Sequence, residues 1–371
     1  MDGVDGVVVD FSQKKPQISD VYSIEFAIEL RANLLALNSP ADNELHHAAL
    51  AANALVRCYA KVVHGLLHAS GLQASQVMAI GAHGQTVRHQ PRLKDAENHD
   101  VGYTIQLNNP ALLAELTGID VVADFRSRDV AAGGQGAPLA PFFHRAWFAP
   151  QGSAETVGVL NIGGISNLTV LQPGAGTQGV DTLGFDCGPG NALLDMWCQQ
   201  HIGQPYDAGG AWGAGGVVCV PLLQSMLAEP YFAQPAPKST GRDLFNRTWL
   251  DQHLAAFSTE PTQNIQKTLV ELTAITISQC AAGHGQPISA LITELIVCGG
   301  GALNTDLMQR LQTLMPQTAV VSSAQRGLPP QNVEAAAFAW LAKQTIERQA
   351  LPLTSVTGAR GARVLGCIYP A

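Results

Sequence analysis

The chain has 371 residues, of which 46% are hydrophobic and only 13% are charged. This length exceeds what one hydrophobic core usually holds, so two domains are expected. The formal net charge of −8, without a basic run, argues against nucleic-acid binding. The seven cysteines form no Cys-x-x-Cys pair, which argues against a zinc site or a disulfide framework and favours reduced thiols in the cytoplasm. No apolar run is long enough for a membrane span, and the acidic N-terminus does not resemble a signal peptide.

Hydrophobic periodicity and turn residues predict an α/β succession in the first part of the chain. Strands are predicted at 4–11, 22–28, 77–82, 103–107 and 120–123, and helices at 48–68 and 111–117. Residues 2–6 are interpreted as a Gly turn that leads into the first strand. A similar strand–Gly–strand pattern at 159–167 would fit two related lobes, although such turns are common in any α/β protein.

A Gly/Pro-rich stretch at 131–141 (AAGGQGAPLAP) is interpreted as the hinge region, with Gly133, Gly134 and Gly136 near the connection between lobes. Beyond it, strands are predicted at 156–161, 166–171, 181–186, 295–298 and 318–322, and helices at 192–200, 304–314 and 333–347. The predicted domains are 1–130 with 346–371, and 131–345.

The strongest local motif is GFDCGPGN at 184–191, where Asp186 stands at a strand end before a turn of small residues. Small residues let a ligand approach the backbone, and the following helix would direct free N–H groups toward the same place. Asp186 could therefore act as a general base or metal ligand. A carboxylate that merely caps a turn is an equally good interpretation.

Two glycine-rich turns are candidate phosphate sites. NIGGISN at 161–167 could surround a phosphate with backbone N–H groups, aided by the side chains of Ser166 and Asn167, although a plain hairpin explains it equally well. Gly299-Gly300-Gly301, between a strand and a helix, is the better nucleotide candidate. It lacks the G-K-[ST] of a Walker A loop and is not a G-x-G-x-x-G fingerprint.

Four polar side chains complete the set of candidates. His83 and Gln85 follow a strand and could bind a sugar, while Arg126 suits a carboxylate or phosphate. His83 and Arg126 also have structural interpretations: a lone histidine at a strand end is more often structural, and a surface ion pair with an aspartate explains the arginine equally well. Glu334 lies in the first turn of the last apolar helix, where a carboxylate is favourable to the helix dipole.

Taken together, the motifs resemble those of anhydro-N-acetylmuramic acid kinases along nearly the whole chain. The shared segments are AHGQT (82–86), the run from YTIQL to PLAP (103–141), VLNIGGISNLT (159–169), FDCGPGN (185–191), STGRDLF (239–245), CGGGALN (298–304) and VTGARGARVLGCIYP (356–370). The resemblance implies an α/β protein with two lobes of actin-like, ribonuclease H-like fold. It further implies mixed sheets flanked by helices, with ATP bound in the cleft between the lobes.

The resemblance also implies a reaction. ATP, water and 1,6-anhydro-N-acetylmuramic acid would yield ADP and N-acetylmuramic acid 6-phosphate in peptidoglycan recycling. Asp186 matches the general base and Glu334 would support it near the sugar. The other implied contacts are the substrate residues His83, Gln85, Arg126 and Asn191, the ATP-binding residues Asp2, Gly3, Asp5, Gly163, Gly164, Ser166, Asn167, Gly299, Gly300, Gly301 and Asn304, and Asp2 as a Mg²⁺ ligand. The family also suggests a homodimer.

One departure concerns the first phosphate loop, which reads S-G-T-S-x-D-G-x-D in the family. Here Met1-Asp2-Gly3-Val4-Asp5 matches only its end, so weakened ATP binding is expected. This leaves two alternatives open. The chain could be an actin-like ATPase that serves as a binding module, or a catalytically impaired paralogue.

Overall fold

The computed structural model describes residues 3–13, 16–149, 155–173, 180–236, 238–241, 243–283, 288 and 290–371. Its contacts divide the chain into two compact units, here called unit 1 (Met1–Phe143 with Glu334–Ala371) and unit 2 (His144–Val333). The domain boundaries placed from sequence after residues 130 and 345 stay a prediction. No helix in the described residues has the length and apolarity needed to cross a membrane.

Strands and helices follow one another in short runs along the chain. The strands are β1 (Gly3–Asp10), β2 (Gln17–Glu25), β3 (Ile80–Gly81), β4 (Gln85–Gln90), β5 (Tyr103–Leu107), β6 (Val121–Ala123), β7 (Thr156–Ile162), β8 (Ile165–Pro173), β9 (Val180–Pro189), β10 (Ile292–Cys298), β11 (Ala319–Ser322) and β12 (Cys367–Tyr369). The helices are α1 (Ile28–Ala36), α2 (Glu44–Ser70), α3 (Pro110–Thr117), α4 (Ser127–Ala131), α5 (Ala140–Phe148), α6 (Asn191–Ile202), α7 (Ala211–Ala214), α8 (Val220–Leu227), α9 (Arg247–Leu254), α10 (Thr262–Ala281), α11 (Thr305–Leu314), α12 (Val333–Ile346) and α13 (Thr354–Thr357).

In unit 1 the described strands form three small sheets. β1 pairs antiparallel with β2, β4 pairs antiparallel with β5, and β6 lies between β3 and β12. The pairing corrects one prediction: Gly3 and Asp5 lie inside β1, opposite Glu25 and Ser23, instead of forming a turn. Gly3 is required there because an added Cβ would lie 2.2 Å from the carbonyl oxygen of Ile24.

The long helix α2 shows how sequence dictates local structure in unit 1. Its apolar residues recur at helical spacing, and the face that carries Leu55, Val56 and Val62 is buried. The helix ends at Gly71, whose φ of +68° is a left-handed conformation that glycine adopts without a steric penalty. The helix predicted at 48–68 is therefore confirmed, with an additional turn at its N-terminus.

Unit 2 is built around one five-stranded sheet in the order β11-β10-β7-β8-β9. β10 and β11 run parallel to β7, whereas β8 is antiparallel to both of its neighbours. Numbered along unit 2, this is the order 3-2-1-4-5 with only the second strand reversed, which is the ribonuclease H-like arrangement. The fold class expected from the sequence is confirmed, since mixed sheets are flanked by helices.

Helix α10 was absent from the sequence-based prediction. It packs on α6, α8, α11 and the strands β8 and β9, and most of its residues are buried. Polar residues such as Gln266 and Thr273 are buried along with Leu269 and Leu272. A helix that is covered on nearly all sides lacks a polar stripe, and this weakens the periodic signal by which a surface helix is detected.

Candidate functional site

Asp186 lies near the end of β9, and its side chain is only 8% exposed. One carboxylate oxygen, Oδ1, accepts a hydrogen bond from Nδ2 of Asn167 on the adjacent strand β8. The other, Oδ2, accepts from the Ser239 hydroxyl at 3.0 Å and from the backbone N–H of Thr240 at 2.9 Å. The carboxylate is thus held from two directions, by a neighbouring strand and by a later loop.

The backbone of Asp186 is held as well. Its N–H donates to the carbonyl oxygen of Lys238 at 3.1 Å, and its own carbonyl oxygen accepts from the Tyr231 hydroxyl at 2.9 Å. Hydrogen bonds therefore fix both the position and the orientation of this residue. Such fixed geometry is what a general base requires, because the base must be within reach of the proton that it removes.

Burial raises the pKa of Asp186 above its ordinary value of 3.8. The donors from Thr240, Asn167 and Ser239 and the ammonium group of Lys238 act in the opposite direction, and burial is the larger effect. A carboxylate with a raised pKa is a stronger base than an ordinary aspartate. The environment of Asp186 thus suits removal of a proton from water near neutral pH.

The turn between β7 and β8 packs directly against the start of α6. Backbone N–H groups of Asn191 and Ala192 donate to the carbonyl oxygens of Gly163 and Gly164, at 2.8 and 3.1 Å. An added Cβ on Gly190 would lie 2.4 Å from the Gly163 oxygen, so the close approach requires glycine. This corrects the prediction that α6 directs free N–H groups toward a ligand, since these donors are already bonded within unit 2.

The glycines that precede α11 pack against the end of β7. Gly299 has a φ of +77°, and an added Cβ there would lie 2.7 Å from the carbonyl oxygen of Ile162. A Cβ on Gly301 would lie 2.3 Å from Cγ2 of the same isoleucine, whereas Gly300 is exposed and lies near the amide of Asn191. The structure therefore brings together both glycine turns and Asn191, which were predicted separately from sequence.

Three predicted ATP contacts have structural partners instead. Ser166 is fully buried and its hydroxyl donates to the carbonyl oxygen of Pro189, so a phosphate cannot reach it in this structure. Asn304 is the N-cap of α11, because its Oδ1 accepts from the N–H of Leu307 at 3.0 Å. The amide of Asn167 is bonded to Asp186. Each interaction explains the residue type without a nucleotide.

In unit 1, His83 and Arg126 form a hydrogen-bonded pair. Arg126 Nε donates to Nε2 of His83 at 2.8 Å, so the ring proton lies on Nδ1, 2.7 Å from the carbonyl oxygen of Gly84. Burial and the Arg126 cation lower the pKa of His83 to about 3. The histidine is therefore neutral at neutral pH, with both ring nitrogens engaged. It orients Arg126 and has no donor left for a sugar in this arrangement.

The Arg126 guanidinium is fixed at a second point, since Nη1 donates to the carbonyl oxygen of Gly136 at 2.7 Å. Burial lowers the pKa of Arg126, and the negative charges of Glu334 and Asp129 act against that effect. Nη2 has no hydrogen-bond partner among the residues that the structure describes. Unit 1 thus presents a positioned cation together with the carboxylate of Glu334, in the first turn of α12.

The segment predicted as a hinge is organised by a buried carboxylate. Asp129 is completely buried, and it accepts from the N–H of Gly136 at 2.6 Å and the hydroxyl of Thr357 at 2.6 Å. An added Cβ on Gly134 would lie 2.2 Å from its Oδ2. The two glycines Gly134 and Gly136 are therefore needed to wrap the chain around Asp129, a structural residue that sequence reasoning did not single out.

The remaining predicted residues show less organisation. The side-chain amide of Gln85, at the start of β4, donates to the carbonyl oxygen of Thr86 and to no other group in the described part of the chain. Asp5 is exposed on β1 and accepts from the Ser23 hydroxyl at 2.6 Å, while Asp2 lies outside the described residues. Within those residues, no group of three or more histidine, cysteine or acidic side chains is arranged to hold a metal ion.

A family model for anhydro-N-acetylmuramic acid kinase matches residues 1–371. The chain belongs to the anhydro-N-acetylmuramic acid kinase family. Relatives with that name include a protein from Albidiferax ferrireducens, 58% identical over 386 residues, and one from Variovorax paradoxus, 57% identical over 375 residues. Both alignments cover 100% of this chain, and they cover 97% and 96% of the two relatives. The chain is accordingly a kinase, and the expected family is confirmed.

Solved structures similar to this one include the activator of the 2-hydroxyisocaproyl-CoA dehydratase from Clostridium difficile, with a TM-score of 0.42 and 11% identity. That alignment covers 94% of this chain and 99% of the activator. A ROK family glucokinase from Streptomyces griseus matches with a TM-score of 0.36 and 14% identity, covering 92% and 100% of the two chains. Since both TM-scores are below 0.5, the fold assignment rests on the strand order of unit 2.

Proposed function

We propose that this protein converts 1,6-anhydro-N-acetylmuramic acid to N-acetylmuramic acid 6-phosphate, with ATP as the phosphoryl donor. Membership of the kinase family supports the substrate. The single observation that carries the chemistry is the buried Asp186 carboxylate, which is held by Asn167, Ser239 and Thr240 and has a raised pKa. A kinase that phosphorylates a free hydroxyl uses its base to deprotonate that hydroxyl. A kinase that also opens the anhydro ring needs a base that removes a proton from water.

In the proposed reaction, Asp186 removes a proton from a water molecule as its oxygen attacks the anomeric carbon C1. The bond between C1 and O6 breaks, and its electron pair goes to O6. O6 then attacks the γ-phosphorus of ATP, and the bond from that phosphorus to the β,γ-bridging oxygen breaks to release ADP. The proton remains on Asp186 until it is lost to solvent, so atoms and charge balance.

Arg126 is proposed to bind the lactyl carboxylate of the sugar. Its Nε and Nη1 are already bonded to His83 and Gly136, which fixes the guanidinium and leaves Nη2 for a ligand. Glu334 is proposed to accept hydrogen bonds from sugar hydroxyl groups. His83 acts indirectly, because both of its nitrogens are engaged, while Gln85 and Asn191 remain proposed substrate contacts.

ATP is proposed to bind along the glycine-rich turns at Gly163, Gly164 and Gly299–Gly301. Glycine permits a phosphate to approach the backbone, and Gly300 is exposed. Gly3 stays a proposed nucleotide contact of unit 1, whereas Ser166 and Asn304 in unit 2 would need to exchange their present partners. Mg²⁺ is proposed to bind together with the phosphates of ATP, since this ion usually takes one or two carboxylates together with substrate phosphates. Asp5 is an exposed carboxylate of this kind, and Asp2 is the second proposed ligand; the ion would neutralise phosphate charge.

The proposed function is tested by incubating the protein with ATP, Mg²⁺ and the anhydro sugar in ¹⁸O-labelled water and analysing the products by mass spectrometry. We expect sugar-dependent ADP release and a 6-phosphate that carries the label on C1. ATP hydrolysis that does not depend on the sugar would favour an actin-like ATPase, and ATP binding without turnover would favour an impaired paralogue. Peptidoglycan recycling, a cytoplasmic location and a homodimer stay predictions.

A further inference from the structure

Lys238 is a buried cation in unit 2, with a side chain that is only 7% exposed. Its ammonium group donates to the carbonyl oxygen of Phe232 at 3.2 Å and, more weakly, to that of Tyr231 at 3.5 Å. It also lies 4.8 Å from the centre of the Tyr231 ring. These hydrogen-bond partners are all neutral, although a buried lysine usually has an acidic partner. Packing alone would be served better by an apolar side chain of the same length.

The same segment continues onto the Asp186 carboxylate. The Lys238 carbonyl oxygen accepts from the N–H of Asp186, and the next two residues, Ser239 and Thr240, donate to its Oδ2. Tyr231 joins the two ends, since its ring faces the ammonium and its hydroxyl donates to the Asp186 carbonyl oxygen. A shift of Lys238 would therefore be transmitted to Asp186 through bonded neighbours.

We propose that Lys238 is a positioning residue for the kinase reaction: its buried ammonium group, held by the carbonyl oxygens of Tyr231 and Phe232, anchors the segment 238–240, and that segment fixes the Asp186 carboxylate. The inference rests on the proposed role of Asp186 as the base. It assigns a purpose to the STGRDLF motif, which sequence comparison singled out without giving it a role, and to the lysine that precedes it.

The charges around Asp186 favour this assignment. Burial raises the pKa of the carboxyl group, the donors from Thr240, Asn167 and Ser239 lower it, and the charge of Lys238 lowers it by a smaller amount. Among the residues that the structure describes, the other titratable groups that face this region are the hydrogen-bonded thiols of Cys187 and Cys280 and the phenol of Tyr231. Burial raises the pKa values of Cys187 and Tyr231, whereas the hydrogen bond with Cys187 and the charge of Lys238 lower the pKa of Cys280. Thiols and phenols are either neutral or anionic, so none of these groups can supply a positive charge in place of the lysine.

The kinetic test compares Lys238→Met with Lys238→Arg by measuring kcat/KM across the acidic side of the pH profile. In the methionine variant we expect the acid limb to move to higher pH, since loss of the positive charge and a shift of the donors on the segment 238–240 both raise the pKa of Asp186. The arginine variant should retain the wild-type profile. Lys267→Met, which removes a lysine paired with Asp306 elsewhere in unit 2, is the matched control. An equal loss of activity at every pH would mean that Lys238 is only structural.

A second measurement is independent of catalysis. The carboxyl ¹³C signal of Asp186, assigned by its loss in Asp186→Asn, is titrated in each lysine variant. A higher pKa in Lys238→Met supports the inference even where the enzyme assay fails, and an unchanged pKa overturns it. If wild type forms no sugar phosphate, the proposed function fails but this titration still decides the role of Lys238.

A third variant covers the case in which Lys238→Met does not fold. Ser239 is exposed, so Ser239→Ala should fold, and it removes one donor to Oδ2. We expect a shift of the acid limb in the same direction, because the lost hydroxyl donor stabilises the ionised form and its loss raises the pKa of Asp186. An unmoved acid limb in this variant would contradict the role proposed for the segment 238–240.

Discussion

The two polar clusters of this protein solve different electrostatic problems. Around Asp186 in unit 2, burial raises the pKa of an acid that still accepts several hydrogen bonds, so this group is suited to exchange a proton. Around Arg126 in unit 1, burial and a cation hold His83 neutral, so the histidine fixes the arginine and does not titrate near neutral pH. The first arrangement suits chemistry, and the second suits binding of an anion. Burial alone does not decide a residue's role; its partners do.

The substitution Asp186→Asn gives the strongest test of the proposed difference between the two clusters. An amide cannot take the proton from water, so we expect kcat to fall by about 10² to 10⁴-fold, the usual contribution of a general base. KM for ATP should change little, and thermal unfolding would serve as the check on folding. Activity close to wild type would exclude Asp186 as the base.

Arg126→Ala tests the binding side of the comparison. Loss of a charge-assisted hydrogen bond costs about 1.5–3 kcal/mol, so we expect KM for the sugar to rise by roughly 10- to 100-fold. KM for ATP should stay nearly constant, and Arg126→Lys should recover only part of the loss, because lysine lacks the planar guanidinium. An unchanged sugar KM would remove Arg126 from the substrate site.

Two buried histidines, one in each unit, are expected to make the protein less stable in acid. Burial lowers the pKa of both His83 and His144 to about 3. In the unfolded chain these two histidines take up protons near pH 6.5, whereas in the folded chain they do so only near pH 3. The free energy of unfolding should therefore fall as the pH drops through this window, by about 1.4 kcal/mol per pH unit for each histidine. Urea unfolding at several pH values measures this slope.

The substitutions His83→Gln and His144→Gln show how much each histidine contributes to the dependence of stability on pH. Each should make stability less sensitive to acid. Only His83→Gln should also weaken sugar binding, because His83 orients Arg126, whereas His144 lies beside the Thr169 hydroxyl in unit 2. A slope that is the same in both variants and in wild type would contradict the buried neutral state.

The smallest expected effect concerns two helix caps. Asn109 caps α3 in unit 1 and Asn304 caps α11 in unit 2, each through a side-chain oxygen. Replacing either by alanine should lower the free energy of unfolding by about 1 kcal/mol. If Asn304 also contacts ATP, Asn304→Ala alone will raise KM for ATP. An equal KM in both variants would leave Asn304 with the cap as its only role.

Local patterns predicted the elements that carry strong local signals. The strand Tyr103–Leu107 was predicted with its observed bounds, and α3 follows an Asn-Pro start that fixes its first residue. The predicted strand at 77–82 is limited to Ile80–Gly81, because only those residues find a partner in β6. Pairing partners lie far away in sequence, so periodicity indicates a strand without giving its length.

By itself the sequence determined the family and the α/β class, and it predicted Asp186 as a candidate base, because motifs and strand-end turns are local features. Only the tertiary structure decided which groups meet it. Lys238 and Thr240 approach Asp186 from more than 50 residues away, and the glycine turns and Asn191 meet only when the sheet of unit 2 forms. The pKa of a buried group depends on neighbours that are distant in sequence. The spacing of residues along the chain therefore could not predict the ionisation of Asp186.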